Sequence, residues 1–345
     1  METFLGIDYP TLWYLVVGFL FSGYAILEGF DYGAGAWHLF FRKDLSRRIA
    51  INAIGPLWDA NQVWLIIGGG ALFAGFPVMY ATMLSAMYIP FMLFLMMLVL
   101  RSAAIKFRSA EPMKWWRKTW DITYFISNTS IAFLLGVVLG NILLGVEIGS
   151  NHEYKGDVFF SFLSPYAILV GLTTLSIFMT QGAIFLLLKT EGRLHVRLTF
   201  LLKKGMIFFI TSFAILSLYT LISLPGVIDK FKANPVFFVL PLLAFLAVAN
   251  VPRLVSKKKY IQALIFSSLT MAFLLMLVAF QLYPVLLPST LDSNYSITIY
   301  NAASSQKSLG IMLIIVLIGA PLLAMYFLFL YRTFYGKVKL DDTSY

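Results

Sequence analysis

The sequence predicts an all-α integral membrane protein with nine transmembrane helices. Hydrophobic residues make up 60% of the 345 residues and charged residues only 12%, whereas soluble domains have about 45–50% apolar and about 25% charged residues. The mean hydropathy of +0.85 is that of a membrane protein. These values exclude a soluble enzyme and a nucleic-acid-binding domain. The net charge of +10 is the sum expected when cytoplasmic loops are basic.

The chain has no cysteine, which excludes disulfides, thiolate metal sites and iron–sulfur clusters. Residues 1–10 include two acids and neither Lys nor Arg. The basic region of a cleavable signal peptide is therefore lacking, and we expect the first apolar stretch to remain as a spanning helix.

Eight stretches that are long enough to supply a spanning helix contain no Asp, Glu, Lys or Arg. They are residues 9–27, 60–100, 122–146, 158–188, 205–228, 233–252, 260–291 and 308–331. A spanning helix needs about 20 apolar residues, and 60–100 as one helix would be about 60 Å long. That is twice the hydrocarbon thickness, so we expect this stretch to fold back at Gly75-Phe76-Pro77, which gives nine helices.

The distribution of Lys and Arg predicts the orientation. An N-terminus outside the cell places 22 of the 26 basic residues in cytoplasmic segments, as the positive-inside rule requires. Nine spans then bring the C-terminus into the cytoplasm, and 1–345 form a single polytopic membrane domain.

A weak internal repeat indicates how the helices are grouped. The segments Tyr32-Gly-Ala-Gly-Ala and Gln181-Gly-Ala-Ile close the first and fifth spans, and each precedes a short basic loop. The repeat favours a four-helix unit at 9–146, a second at 158–283 and a ninth helix at 308–331. Chance similarity between apolar helix ends explains it equally well.

Four acids lie in or beside apolar segments on the cytoplasmic side, namely Glu28, Asp31, Asp59 and Asp121. Glu28 and Asp31 share a helix face because they are three residues apart, and a short loop allows Asp59 to approach them. Acids in spanning helices are costly and usually face a polar interior. The pattern predicts a proton path or a cation site. In the alternative, interfacial acids pair with Arg47, Arg48 or Arg101.

Polar residues and glycines surround these acids. Asn61 and Gln62 cannot both face lipid comfortably, so we expect one of them to line the same polar interior. The alternative is a helix–helix hydrogen bond. For Gly33, Gly35 and Gly68-Gly69-Gly70 we expect close backbone packing rather than a ligand role.

The three histidines are His38, His152 and His195, and none lies within the apolar part of a span. A b-type haem in a membrane needs axial ligands, normally His or Met, on helices. We therefore expect no bis-His haem and no metal site in this chain.

The sequence resembles subunit II of cytochrome bd-type quinol oxidases. The longest matching segments are Glu28-Gly-Phe-Asp-Tyr-Gly-Ala-Gly, Trp58-Asp-Ala-Asn-Gln-Val-Trp and Gly68-Gly-Gly-Ala-Leu-Phe-Ala-Gly-Phe-Pro. Shorter matches are Leu100-Arg101, Phe107-Arg108, Trp120-Asp121, Thr180-Gln-Gly-Ala and Ala303-Ser-Ser-Gln. The similarity keeps its order along nearly the whole chain.

The resemblance implies a nine-helix subunit of the bacterial cytoplasmic (inner) membrane that pairs with a homologous subunit I. The implied complex oxidises quinol and reduces dioxygen to water while it generates a proton-motive force. Haems b and d belong to subunit I, and subunit II stabilises that partner. The resemblance admits a structural quinone or lipid in subunit II, and small single-helix accessory subunits.

The resemblance also implies roles for single residues. The implied proton path consists of Glu28, Asp31, Asp59 and Asp121. The implied polar lining or subunit interface consists of Asn61, Gln62, Trp64 and Arg101, and Trp64 falls on a position associated with oxygen access. In the family, an Asp is also found at the position of Glu28.

Two other functions are compatible with the residues alone. A proton-coupled secondary transporter shares the acids and the repeat, and it predicts a midplane substrate site on broken helices, for which Pro241 and Pro321 are the candidate breaks. In a purely structural membrane subunit the acids only brace the loops.

Overall fold

Helices dominate the computed structural model, which describes residues 3–157, 159–223 and 226–340. They are α1 (Tyr9–Ala36), α2 (Asp44–Ile54), α3 (Trp58–Gly75), α4 (Pro77–Ala86), α5 (Tyr88–Phe107), α6 (Lys114–Leu144), α7 (Pro165–Lys189), α8 (Gly192–Ser223), α9 (Gly226–Ala233), α10 (Val239–Ser256), α11 (Tyr260–Leu282) and α12 (Gln306–Thr333). Two short antiparallel hairpins pair β1 (Thr3–Phe4) with β2 (Ile7–Asp8) and β3 (Val285–Leu287) with β4 (Ile297–Thr298).

Eight helices of the described chain are long and apolar enough to cross a membrane, which confirms the predicted all-helical membrane class. They are α1, α5, α6, α7, α8, α10, α11 and α12. The number reaches nine if α3 and α4, which are bent by 116° at their junction, form one span.

The chain bends by 116° after α3, at the predicted Gly75-Phe76-Pro77, but a second break follows at Met87. Helix α3 ends at Gly75, and Pro77 is the first residue of α4, a position where its missing N–H is harmless. Helix α4 has only ten residues, and α5 begins at Tyr88. Pro90 has no N–H to donate to the carbonyl of Ala86, so one continuous helix over 77–107 is unfavourable here. The expectation of a hairpin whose second arm is one unbroken helix is wrong in this respect.

Helix α1 lies at the centre of the fold and crosses α7 at backbone contact. A Cβ added to Gly33 would lie 1.7 Å from the carbonyl oxygen of Phe178, and one added to Gly182 would lie 2.3 Å from the nitrogen of Ala34. The packing role predicted for Gly33 is therefore confirmed, and Gly35 lies as closely against Asn128.

The glycines of α3 differ from those of α1. A Cβ on Gly69 or Gly70 would meet no described atom within 4 Å, and one on Gly68 would make only ordinary contact with Phe21. The close packing expected of Gly68-Gly69-Gly70 is therefore not found within the described part of this chain.

We expect Gly33→Ala to destabilise the protein and Gly18→Ala, in the same helix, to leave it unchanged. The methyl group that Gly33→Ala introduces must displace the backbone of α7, and overpacking of this kind costs about 1–3 kcal/mol. The Gly18 methyl group meets no atom within 4 Å. The apparent melting temperature of the purified protein measures both effects, and equal temperatures for the two variants would refute the tight crossing.

Candidate functional site

A buried cluster of two carboxylates and one guanidinium joins α1, α3 and α5. The side chains of Glu28, Asp31, Asn61 and Arg101 are all 0% exposed. Arg101 Nη1 lies 2.8 Å from Glu28 Oε2, and Arg101 Nη2 lies 3.6 Å from Asp31 Oδ2. Asn61 Nδ2 donates a hydrogen bond of 2.9 Å to Asp31 Oδ2, and Tyr331 donates one of 2.9 Å to Asn61 Oδ1. Glu28 and Asp31 thus lie together in the interior and share Arg101, the arginine named in the alternative in which the acids are paired.

The ion contacts of this inner cluster are close but poorly aligned. Arg101 Nη1 is at ion-pair distance from Glu28, but its N–H groups do not point at the carboxylate oxygens. Both Glu28 oxygens and all three guanidinium nitrogens therefore lack a hydrogen-bond partner in the described structure. The guanidinium also stacks over the ring of Tyr32, with 4.6 Å between Cζ and the ring centroid. Buried polar atoms left over in this way are commonly satisfied by internal water.

The inner cluster contains one more acid than base. Two ionised carboxylates and one guanidinium carry a formal charge of −1, and the cluster is neutral when one carboxyl holds a proton. An uncompensated buried charge is costly. The arrangement is therefore suited to holding one exchangeable proton.

A second, outer cluster surrounds Asp121 at the beginning of α6. Asp121 Oδ2 lies 2.8 Å from Arg47 Nη1, and its Oδ1 accepts from Arg108 Nε at 2.6 Å and from His38 Nε2 at 2.5 Å. Arg108 Nη2 in turn donates to Asp44 Oδ1 at 2.6 Å. His38, Arg108 and Asp121 are at most 2% exposed, whereas Arg47 is 23% and Asp44 52% exposed. The outer cluster thus runs from the interior to the surface.

Two chain segments contribute to both clusters. His38 lies seven positions after Asp31, and Arg108 lies seven positions after Arg101. On a helix, an advance of seven positions corresponds to about 10 Å along the axis. Sequence reasoning missed His38 and Arg108 as site residues, although the spacing of Arg101 and Arg108 is a usable signal for a basic face on α5.

Asp59 does not join either cluster. It lies in the first turn of α3 and is exposed, whereas its neighbour Asn61 is buried beside Asp31. Residues two apart on a helix point about 200° away from each other, so Asn61 and Asp59 cannot both face Asp31. The expected convergence of Asp59 with Glu28 is wrong for this reason.

The remaining predicted residues lie along α3. Gln62 is half-buried, and so is Trp64, whose ring fills the space beside Gly23. The Trp64 ring also contacts Phe19 and Phe327, with ring centroids 5.9 and 5.8 Å apart. Of the pair Asn61 and Gln62, it is Asn61 that faces the polar interior.

The three histidines lie on different parts of the chain. His38 Nε2 is engaged by Asp121, which is itself paired with two arginines. His152 and His195 lie near the ends of helices or in loops. The described residues contain no group of three or more His, Cys, Asp or Glu side chains that could hold a metal ion.

Comparison with known proteins identifies the family. The family model for cytochrome bd terminal oxidase subunit II matches residues 9–334. The chain belongs to this family. It is 31% identical to cytochrome bd-I ubiquinol oxidase subunit 2 of Escherichia coli K12 over 97% of both chains. It is 34% identical to cytochrome bd ubiquinol oxidase subunit 2 of Bacillus subtilis 168, over 90% of this chain and 91% of that one.

A solved structure has the same fold. The structure of bd oxidase from Geobacillus thermodenitrificans includes a chain that superimposes with a TM-score of 0.78 at 20% identity, covering 94% of this chain and 98% of that one. Membership of the cytochrome bd subunit II family makes this chain a multi-pass protein of the bacterial inner membrane and a subunit of a quinol oxidase. It also implies a complex with subunit I, in which the haems lie. The predicted family and its oxidoreductase function are confirmed.

Proposed function

We propose that this chain stabilises the haem-bearing subunit I and conducts protons from the cytoplasm towards it. The complex oxidises quinol and reduces dioxygen to water, and the protons that this chain delivers are consumed in that reduction. The observation that carries the proposal is the buried pair Glu28 and Asp31, which among the described residues has ion contacts with one cation, Arg101.

The outer cluster is the proposed entrance of the path. Asp44 and Arg47 reach the surface, while Asp121 and His38 lie inside. Asp121 is the common hydrogen-bond acceptor of two arginines, and these contacts fix the positions of its neighbours. His38 is the group here that can both donate and accept a proton through its two ring nitrogens, and its Nδ1 is buried without a partner in the described structure.

The inner cluster is the proposed proton-holding site. Transfer of one proton into the cluster changes its formal charge from −1 to zero, and release reverses the change. Glu28 is the proposed carrier because Asp31 is held by a hydrogen bond from Asn61, whereas Glu28 Oε2 makes an ion contact with Arg101. Asn61 and Tyr331 hold Asp31 in place.

The exposed part of α3 is proposed to face subunit I. Asp59 is exposed on this chain alone, so a role in the path requires the partner to cover it. Gln62 lies about 60° from Asp59 around the helix, and we propose that it lines the subunit interface. Trp64 points about 140° away from Asp59, towards Phe19 and Phe327, so the proposed oxygen access near Trp64 belongs to a different side of α3. A structural quinone or lipid and small accessory subunits remain proposals that rest on the family alone.

We further propose nine spans with the N-terminus outside and the C-terminus in the cytoplasm. The bent pair α3–α4 supplies the span that raises the number to nine. Two four-helix units, at 9–146 and 158–283 with a ninth helix at 308–331, are supported by the meeting of the two repeat segments at Gly33 and Gly182.

The orientation predicts the labelling of an introduced cysteine. Since the chain has no native cysteine, Lys114→Cys provides a single reactive site. An impermeant thiol reagent is expected to leave it unlabelled in intact cells and to label it in inverted membrane vesicles. Labelling in intact cells would contradict the orientation.

The stabilising role predicts a loss of haem when this chain is absent. Subunit I expressed alone is expected to retain less haem than subunit I expressed together with this chain, because the partner's membrane-facing surface then lacks its cover. Haem absorbance per mole of purified subunit I measures the difference. Equal haem content in both preparations would overturn the stabilising role.

A further inference from the structure

An open pocket of about 400 Å³ lies beside the beginning of α8, and no residue of either ion cluster lines it. Helix α8 contributes Val196, Phe200 and Lys203, and the turn between α10 and α11 contributes Lys258. The ring of Tyr260, the first residue of α11, stands edge-on to His195 with centroids 5.6 Å apart. The volume is within the range of about 300–1,000 Å³ that small-molecule sites occupy.

Two lysines, Lys203 and Lys258, line the pocket, and none of the residues that line it is an acid. Residues 192–223 of α8 include four Lys or Arg and residues 253–259 include four more, without an acid in either range, and Glu191 lies just before α8. Helices α8 and α11 both begin beside the pocket, at Gly192 and Tyr260. Helix N-termini carry partial positive charge and free N–H groups, which favour anions.

The backbone holds Lys258 in an unfavourable conformation at this pocket. Its φ is +57°, in the left-handed region where glycine is the usual residue at a helix C-terminus. The N–H groups of Lys258 and Lys259 donate to the carbonyls of Val255 and Leu254, both at 3.0 Å, which fixes the turn. A lysine in this conformation is less favourable for the stability of the fold than a glycine would be. The lysine places an ammonium group at the pocket, which a glycine could not.

The other wall of the pocket is apolar. Val196 is 72% exposed and Phe200 is 49% exposed, on the helix that continues into the membrane as α8. Lys204 Nζ lies 4.8 Å from the centroid of the Phe200 ring. The pocket therefore presents cations and an apolar wall side by side, which matches a ligand with an anionic head and a hydrocarbon tail.

We propose that this pocket binds the phosphate headgroup of an anionic phospholipid. Lys203 and Lys258 pair with the phosphate, and the first part of an acyl chain lies along Val196 and Phe200. Basic pockets between helices on the cytoplasmic side of membrane proteins are suited to such headgroups. Free phosphate would satisfy the lysines but would leave the apolar wall exposed, so a lipid is the better match.

Native mass spectrometry of the purified two-subunit complex tests the site. The complex is prepared in mixed micelles with equal phosphatidylglycerol and phosphatidylcholine, and retained lipids are counted. The pocket variant carries Lys203→Gln and Lys258→Gln, and the matched control carries Lys114→Gln and Lys118→Gln, which remove two exposed lysines of α6. We expect the pocket variant to bind phosphatidylglycerol at least about tenfold more weakly, and the control to bind it like the wild type.

A charge-preserving variant and a competitor complete the test. Lys203→Arg with Lys258→Arg is expected to retain phosphatidylglycerol, and excess inorganic phosphate is expected not to displace it. Equal retention by the pocket variant and the wild type would overturn the proposal. Displacement by inorganic phosphate would also overturn it, since the site would then bind free anions, and so would equal retention of phosphatidylcholine.

Discussion

Replacement of Arg101 by Gln is expected to remove most of the assembled complex from the membrane. The change leaves Glu28 and Asp31 buried side by side without a cation. Breaking a buried ion pair by removing one partner costs about 3–5 kcal/mol, a large part of the stability of a typical domain. Haem absorbance of solubilised membranes, normalised to total protein, measures the amount of complex.

The matched control for this variant is Arg332→Gln, which removes an exposed arginine from the last turn of α12. Its complex is expected to accumulate like the wild type, because exposed ion pairs contribute about 0–1 kcal/mol. Wild-type amounts of the Arg101→Gln complex would contradict the buried ion cluster.

Removal of every charge from the inner cluster separates stability from proton transfer. The triple variant Arg101→Gln, Glu28→Gln, Asp31→Asn has no uncompensated charge, so we expect it to assemble better than Arg101→Gln alone. It also has no group that can take up a proton, so its oxygen consumption is expected to stay low. If the acids served only to brace the fold, the assembled triple variant would turn over normally.

Glu28→Gln is expected to lower quinol-driven oxygen consumption while the complex still assembles. The change leaves one carboxylate, Asp31, with one guanidinium, Arg101, so the charge of the cluster remains balanced. Proton transfer by a positioned side chain typically contributes about 10²–10⁴-fold to a rate, and we expect a fall of at least about tenfold. Steady-state oxygen consumption per haem measures it.

Two companion variants define the path. Glu28→Asp keeps a carboxyl group and is expected to have a mild effect. Asp59→Asn is expected to lower oxygen consumption as well, on the proposal that the partner covers Asp59. Full turnover by an assembled Asp59→Asn complex would remove Asp59 from the path without affecting the inner cluster, since the structure separates the two.

The sequence is informative about which residues are buried and less informative about which of them meet. Apolar sequence on both sides of Glu28 and Asp31 predicts their burial, because a spanning helix must continue through them. Asp59 could not be assigned in the same way. It precedes a buried Asn61 by two residues, and the helical rotation between them depends on which face of α3 packs against α1, which is set by tertiary contacts.

The outer cluster shows a different limit. Asp121 and Arg47 carry opposite charges near the same membrane surface, so an ion pair between them is foreseeable. Their meeting with His38 depends on the turn that follows α1, where the chain changes from helix to a short 3₁₀ segment at His38–Phe40. Such turns are decided by a few backbone contacts and leave no periodic signal in the sequence.

Proton uptake during a single turnover tests the central claim most directly. Fully reduced complex is mixed with oxygen, and a pH-indicator dye in the bulk solution follows the protons taken up by wild type, Glu28→Gln and Glu28→Asp. We expect uptake to be at least about tenfold slower with Glu28→Gln and close to the wild-type rate with Glu28→Asp. Uptake at the wild-type rate by assembled Glu28→Gln complex would show that protons do not pass through the inner cluster.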